Sequence, residues 1–285
     1  MERAKGFEFF THSLKTKLYN SFIKKCIESA LLTYKIKLVN LLDIPILKRL
    51  YPSIFRRYLM LIGKYKLNIK INNFIFEIDI RESIERKTYF IREYEKKRMD
   101  QLHFLSNKIN SEILVDIGAN IGFYSILFSD RFDQIYSFEP NKRNFKVLKR
   151  NIDNNKLKNI QIFNFGLGEN KEFLIGNSNS KGELFQTSGF SINKDNKKGE
   201  KVSVQKGDEV LHFKNKTITI KIDVEGFEFF VLKGLKSALV NNLCILQIEI
   251  WEKNYDEVHK FLNSLNYKMI NSIDGDTYFS NKIFD

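Results

Sequence analysis

The chain is poor in the residues that build disulfide frameworks, metal centres and rigid turns. Its 285 residues include two cysteines, Cys26 and Cys244, four histidines and three prolines. Two widely separated thiols are too few for a disulfide scaffold, and His12, His103, His212 and His259 sit at no metal-ligand or catalytic spacing. Cys244 falls in the apolar run Leu243-Cys-Ile-Leu246, where it reads as a small core residue. No apolar run approaches the ~18–20 residues of a membrane span. The N-terminus lacks the compact apolar stretch and small-residue cleavage site of a signal peptide. These absences point to a reducing, cytoplasmic setting, membrane-peripheral at most.

What is present is a globular composition, 43% hydrophobic and 14% aromatic, with a formal charge of +13. The charge is uneven. Residues 1–66 carry fourteen Lys and Arg against four acids, whereas the rest carries 33 against 30. The organisation expected is a basic helical extension over 1–66, a β-hairpin and helix over 67–110, and a main domain over 111–285. A basic appendage attracts nucleic acid or anionic lipid; a coding bias toward Lys, Asn and Ile explains the same excess, and both readings stay open.

Leu14, Leu18, Phe22, Ile23, Ile27, Leu31, Tyr34 and Leu38 recur in steps of three and four, predicting an amphipathic helix over about 13–42. A second helical stretch runs to about residue 65, with Pro45 opening it and Pro52 as a further break. Peripheral membrane contact through residues 13–66 competes with plain packing or dimer contact, and the oligomeric state is left open. Residues 67–80 alternate apolar and polar on either side of Asn72-Asn73, a hairpin pattern. A helical stretch from about Ser83 to Asn107 follows. From residue 112 strand and helix patterns alternate, which argues for a parallel α/β sheet. Strands are expected near 113–117, 134–138, 160–165, 217–223 and 243–250, with helices near 121–130, 141–154, 227–239 and 254–264. An antiparallel hairpin is expected near 267–271 and 276–281. Residues 170–201 interrupt the alternation with Gly, Asn, Ser and Lys, and their position predicts a substrate lid.

Two segments carry the chemistry. In Ile113-Leu-Val-Asp-Ile-Gly-Ala-Asn-Ile-Gly-Phe123, Asp116 ends a buried strand, and Gly118, Ala119, Asn120 and Gly122 form a small-residue turn. Gly118 and Gly122 are expected to let backbone approach a ligand. Glu139, closing the second strand in Ser137-Phe-Glu-Pro-Asn141, falls near the offset at which an acid meets ribose hydroxyls. The turn reads G-x-N-x-G rather than the G-x-G-x-x-G of a pyrophosphate cradle, which favours S-adenosyl-L-methionine, a nucleoside without phosphate. The second segment, Ile220-Lys-Ile-Asp-Val-Glu-Gly-Phe-Glu228, delivers Asp223 and Glu225 to the same edge, and Glu249 follows on the next strand. Acids there suit a positively charged sulfur and an attacking hydroxyl; Asp223 is the first choice of base, with Glu225 or Glu249 second. Each has a structural alternative: a turn-orienting Asp, a helix cap, or a partner of Lys or Arg.

These residues resemble the FkbM family of S-adenosylmethionine-dependent methyltransferases. The matching pieces are Asp116 to Ser125, Phe138-Glu-Pro-Asn141 with Asn144-Phe145, and Ile220 to Glu228 with Val231-Leu-Lys-Gly234, within roughly residues 110–275. The resemblance implies a class I methyltransferase fold, Rossmann-like, with a seven-stranded sheet whose last strand is antiparallel. It implies methyl transfer to a hydroxyl, often of a sugar, glycan precursor or natural product. It also implies cofactor contacts from Asp116, Gly118, Asn120 and Glu139, adenine neighbours at Asn164 and Gly166, and Asp223 and Glu225 facing methyl and substrate. No resident metal is expected; a metal-dependent variant would draw on Asp223, Glu225 and Glu249. Nucleic-acid methylation is disfavoured by the near-balanced main domain and by the lack of an Asn/Asp-Pro-Pro-Tyr/Phe motif. A non-catalytic cofactor-binding or membrane-docking protein is the remaining alternative.

Overall fold

The computed structural model describes residues 45–178, 189–193 and 198–282. The chain divides into two compact units, Met1–Gly63 and Lys64–Asp285. In the first, helix α1 (Pro45–Leu61) opens on Pro45 and continues through Pro52, where a break was expected. An interior proline removes one hydrogen bond and crowds the carbonyl four residues back, a local defect that a helix can absorb by bending. The amphipathic pattern over 13–42 lies outside the described residues.

The second unit begins with the expected hairpin, β1 (Lys66–Ile71) and β2 (Phe74–Asp79), turning at Asn72 with φ 51°. One helix was expected over 83–107; two form, α2 (Ser83–Ile91) and α3 (Lys96–Lys108). The break falls at Arg92 (φ 59°) and Glu95 (φ 37°), and of the two residues between them Tyr94 stacks on Phe123 with ring centroids 4.2 Å apart. Tertiary stacking overrides helix continuation here.

The core strands are β3 (Ile113–Ile117), β4 (Gln134–Phe138) and β5 (Ile160–Phe163), with α4 (Phe123–Leu127) and α5 (Lys142–Asn154) as their connections. The chain then leaves the sheet for β6 (Gly166–Gly168), β7 (Glu172–Ser178), β8 (Phe190–Asn193) and β9 (Glu200–Lys206). It returns through α6 (Gly207–Val210), β10 (Thr217–Ile222), α7 (Glu228–Gly234), α8 (Lys236–Asn241) and β11 (Leu243–Glu249), and ends with α9 (Tyr255–Ser264), β12 (Lys268–Ile273) and β13 (Asp276–Ser280). The order β12-β13-β11-β10-β3-β4-β5, with β13 antiparallel to both neighbours, is the seven-stranded, mostly parallel arrangement implied by the resemblance. Strands β3, β10 and β11 are covered on both faces, which is why they read as near-continuous apolar runs.

Two expectations shift. The strand over 160–165 stops at Phe163, because Asn164 spends its side-chain amide on the carbonyls of Glu139 and Pro140, at 2.9 and 3.3 Å. The helix over 227–239 splits at Leu235, whose N–H is shared between the carbonyls of Val231 and Leu232. The interruption at 170–201 contributes strands to a separate four-stranded sheet, β6-β9-β7-β8.

Turns at the strand ends place the site. Gly118 has φ 87°, and a Cβ built on it would lie 1.8 Å from the carbonyl oxygen of Asp223. Gly122 has φ 95°, and a Cβ built on it would lie 2.5 Å from Leu148 Cδ1. Both glycines make room for the protein itself. Gly118→Ala should therefore cost roughly 3 kcal/mol or more of folding stability by urea denaturation. Gly63→Ala, where φ is 68° and nothing lies within 4 Å, should cost about 1 kcal/mol.

Candidate active site

The carboxyl ends of β3, β4, β10 and β11 surround a cleft of about 290 Å³. Asp116, Gly118, Ala119, Asn120, Glu139, Gly166, Asp223, Glu225 and Glu249 line it, so the two sequence segments meet in one place. Gly122 and Asn164 do not line it. Gly122 starts α4 with Leu148 packed behind it, and the Asn164 side-chain amide ties down the Glu139-Pro140 backbone.

Glu139 is buried, and its two oxygens accept from the backbone N–H groups of Asn120 and Asn141, each at 2.8 Å. Burial pushes this carboxyl up to about 7, against the pull of those two donors. Gly118 and Ala119 donate in turn to the carbonyl of Phe138, at 2.9 and 3.0 Å, so the turn after β3 is clamped to the end of β4. Each Glu139 oxygen keeps a second lone pair for a ligand hydroxyl.

Between the two segments lies a group to which the sequence reading gave no role. Lys221, 4% exposed, pairs in register with Asp116 across β3 and β10. Its ammonium stands 3.0 Å from Asp223 Oδ2, 3.9 Å from Asp116 Oδ1 and 4.5 Å from the centre of the Tyr124 ring. A lysine inside the apolar strand Ile220-Lys-Ile222 was the available signal. Ser125 donates to Asp116 Oδ2 at 2.5 Å, while Asp116 Oδ1, also buried, has no hydrogen-bond donor. Burial raises Asp116 more than Lys221 and Ser125 lower it. For Asp223 burial also pushes upward, but the Lys221 ammonium and a hydrogen bond from Glu249 prevail and hold it below the usual carboxylate range. Glu249 is pushed up to about 8 by burial and by Asp223, so it carries the proton of that pair. Glu225 sits in the left-handed region (φ 55°) and is pushed up to about 7 by burial, Asp223 and Glu228.

The far wall comes from the break between α2 and α3. Tyr94, Glu95 and Arg98 line the cleft. Tyr124 donates to Glu95 Oε2 at 3.1 Å and accepts from Gln247 Nε2 at 2.7 Å. Arg98 lies 3.2 Å from Glu95 and 3.3 Å from Asp276. Gly189, Phe190 and Ile192, from the interrupting segment, line the cleft as well. Among the described residues no three His, Cys, Asp or Glu side chains are grouped to hold a metal ion, and no helix is long and apolar enough to cross a membrane.

A doubly covered parallel sheet with an antiparallel last strand, and a cleft at its carboxyl edge, define a class I methyltransferase fold. Residues 116–269 match the methyltransferase FkbM domain, and the chain belongs to that family. A curated relative, the hexuronic acid methyltransferase AglP of Haloferax volcanii, is 31% identical over 145 residues, covering 48% of this chain and 56% of that protein. The chain thus spans little more than half of that relative's length. Among solved structures, a methyltransferase FkbM from Methylobacillus flagellatus KT is 23% identical with a TM-score of 0.42, covering 60% of this chain and 43% of that one. Trm5b from Pyrococcus abyssi is 12% identical with a TM-score of 0.41, covering 76% and 54%. Likenesses at these scores carry no functional argument.

The acids impose a sign on stability. Glu85 and Glu249 (about 8), Glu139 and Glu225 (about 7) and Asp276 (about 6) are all raised, so their contribution is full below about 4.5 and fades as pH rises through 6–8. Asp223 and Glu77, both lowered, act oppositely and lose their contribution only as pH falls below about 4. Urea midpoints of the ligand-free protein should therefore peak at about pH 4–5 and decline until about pH 8, where the last of the raised acids has ionised in the folded state. Lys221→Met should steepen that decline by removing the cation between Asp116 and Asp223.

Proposed function

We propose that this chain is an S-adenosylmethionine-dependent O-methyltransferase whose acceptor is a hydroxyl of a sugar, glycan precursor or sugar-bearing natural product. The observation that carries the reading is the meeting of Asp116, the turn at Gly118 to Asn120, and Glu139 with Asp223, Glu225 and Glu249 in one cleft. The residues fit such a cofactor. Glu139 has acceptor capacity left for a ribose diol, and the orphaned Asp116 Oδ1 suits an amino group. Surrounding carboxyls favour a cation. When bound, the cofactor supplies a methyl group made electrophilic by its sulfonium.

The protein's own part is alignment and proton acceptance. Asp223 was the first choice of base, yet Lys221 stabilises its ionised form and makes it a weak proton acceptor. Glu225, near 7 and half-buried in the lining of the cleft, is better matched to working pH. We assign it the hydroxyl proton, with Asp223 orienting the acceptor and holding positive charge. The similarity to a hexuronic acid methyltransferase of Haloferax volcanii supports a sugar acceptor. The near balance of charge in residues 67–285 disfavours a nucleic acid.

Two outcomes are expected. In a labelled methyl-transfer assay against fractionated extracts, label enters a carbohydrate fraction, survives excess chelator, and drops ~10²–10⁴-fold in Glu225→Gln. The wild-type rate rises with pH through about 7, and that rise disappears in the variant. Label found only in nucleic acid would refute the acceptor class. Binding of S-adenosylhomocysteine with no transfer to any fraction would favour the non-catalytic alternative.

A further inference from the structure

We infer that Arg98 takes the carboxylate of the methyl donor's amino-acid end, with Asp116 and Glu95 receiving the ammonium on the same carbon. The inference rests on the methyl-donor reading and deepens it, assigning the zwitterionic end of that ligand to named residues.

The donor carries a sulfonium, an ammonium and a carboxylate. The acids that line the cleft suit the two cations, but the carboxylate needs a positive partner. Among the described residues, Lys221 and Arg98 are the only cations that line the cleft. Lys221 is already engaged: it is 4% exposed, with Asp223 Oδ2 at 3.0 Å, Asp116 Oδ1 at 3.9 Å and the Tyr124 ring against it. Arg98, on α3, is held differently. Its Nη1 lies 3.2 Å from Glu95 and 3.3 Å from Asp276, and its Nη2 donates to the carbonyl of Asp274. A guanidinium has five N–H donors, so at least two of them have no partner among the described residues.

The surroundings fit a zwitterion and not a lone anion. Glu95 and Asp276 would repel a free carboxylate. An amino acid brings its own ammonium, and therefore requires a cation and acids side by side, as Arg98 and Glu95 are. Asp116 Oδ1, buried and without a donor, is a second acceptor for that ammonium. Tyr94 marks where these groups meet. Its phenol is raised by burial and by Glu95, Asp223 and Asp116, while Arg98 opposes them. Behind the arginine, Asp276 accepts from Gln247 Nε2, which anchors the brace to β11. Arg98 reaches the cleft from chain that precedes the matched span 116–269, so the contact belongs to this protein and is not prescribed by the shared domain.

Calorimetric titration of the full-length protein isolates the carboxylate. The probes are S-adenosylhomocysteine and its decarboxylated analogue, which keeps the nucleoside, the thioether and the amine. The wild type should bind S-adenosylhomocysteine at least about tenfold more tightly than the analogue. Arg98→Met should bring S-adenosylhomocysteine to the level of the analogue and leave the analogue within about twofold of its wild-type affinity. Arg98→Lys keeps a charge between Glu95 and Asp276 and should hold the wild-type urea midpoint. It should still lose about threefold or more of the preference, because an ammonium lacks the planar fork. Equal wild-type affinity for the two ligands would overturn the assignment and leave the methyl-donor reading intact. A preference undiminished in both variants would do the same. So would equal weakening of both ligands in a variant with the wild-type urea midpoint, the mark of a merely structural arginine. Failure of the wild type to bind either ligand would overturn the methyl-donor reading itself, and this assignment with it.

Discussion

A single buried ammonium organises this site. Lys221 lies between the acid that ends β3 and the acid that follows β10, with the face of Tyr124 beneath it. Removing three charges from water is costly, and their mutual attraction offsets that cost only while all three are present. The arrangement holds Asp223 ionised and moves the proton of the neighbouring pair onto Glu249. This cation, with Arg98 in support, thus holds the Asp223 side of the cleft ionised. It also converts what the sequence suggests is a wholly acidic pocket into one with a fixed internal counter-charge.

The backbone reinforces this. The carbonyl of Ile117 accepts from Asp223 N–H at 3.0 Å, and the missing side chain of Gly118 lets the turn after β3 settle directly on the Asp223 carbonyl. Gly118 therefore serves the joint between two strand ends, and through it the placement of Asp223 relative to Asp116. Glu139 does similar work on the other side, bridging the Asn120 and Asn141 amides. Its position is fixed before any ligand arrives, a form of preorganisation.

The parts of the molecule legible in its sequence are those that physics makes repetitive. Strands buried on both faces are runs of Ile, Leu and Val, so β3, β10 and β11 announce themselves, and acids immediately after such runs mark the ligand edge. Nine of the expected site residues accordingly meet in the cleft. What escaped were roles decided by side chains meeting from distant segments. Gly122 is packed against Leu148, the seventh residue of α5, and Asn164 is tied to the Glu139 backbone, contacts that no local pattern announces. The turn at Arg92 to Glu95 has neither glycine nor proline to signal it, so helical periodicity was extended across it. Lys221 was visible as a charge within an apolar strand, and only its register against Asp116 gives that oddity a meaning.

The residues matched to the family span 116–269, yet Tyr94, Glu95 and Arg98 lie before that span, and Asp276, which braces Arg98, lies after it. The wall opposite Asp223, Glu225 and Glu249 is therefore assembled from chain outside the matched span. A cleft built this way can keep the turns and acids of its matched half while the flanking half is rewritten, so the two sides of its lining are free to vary apart.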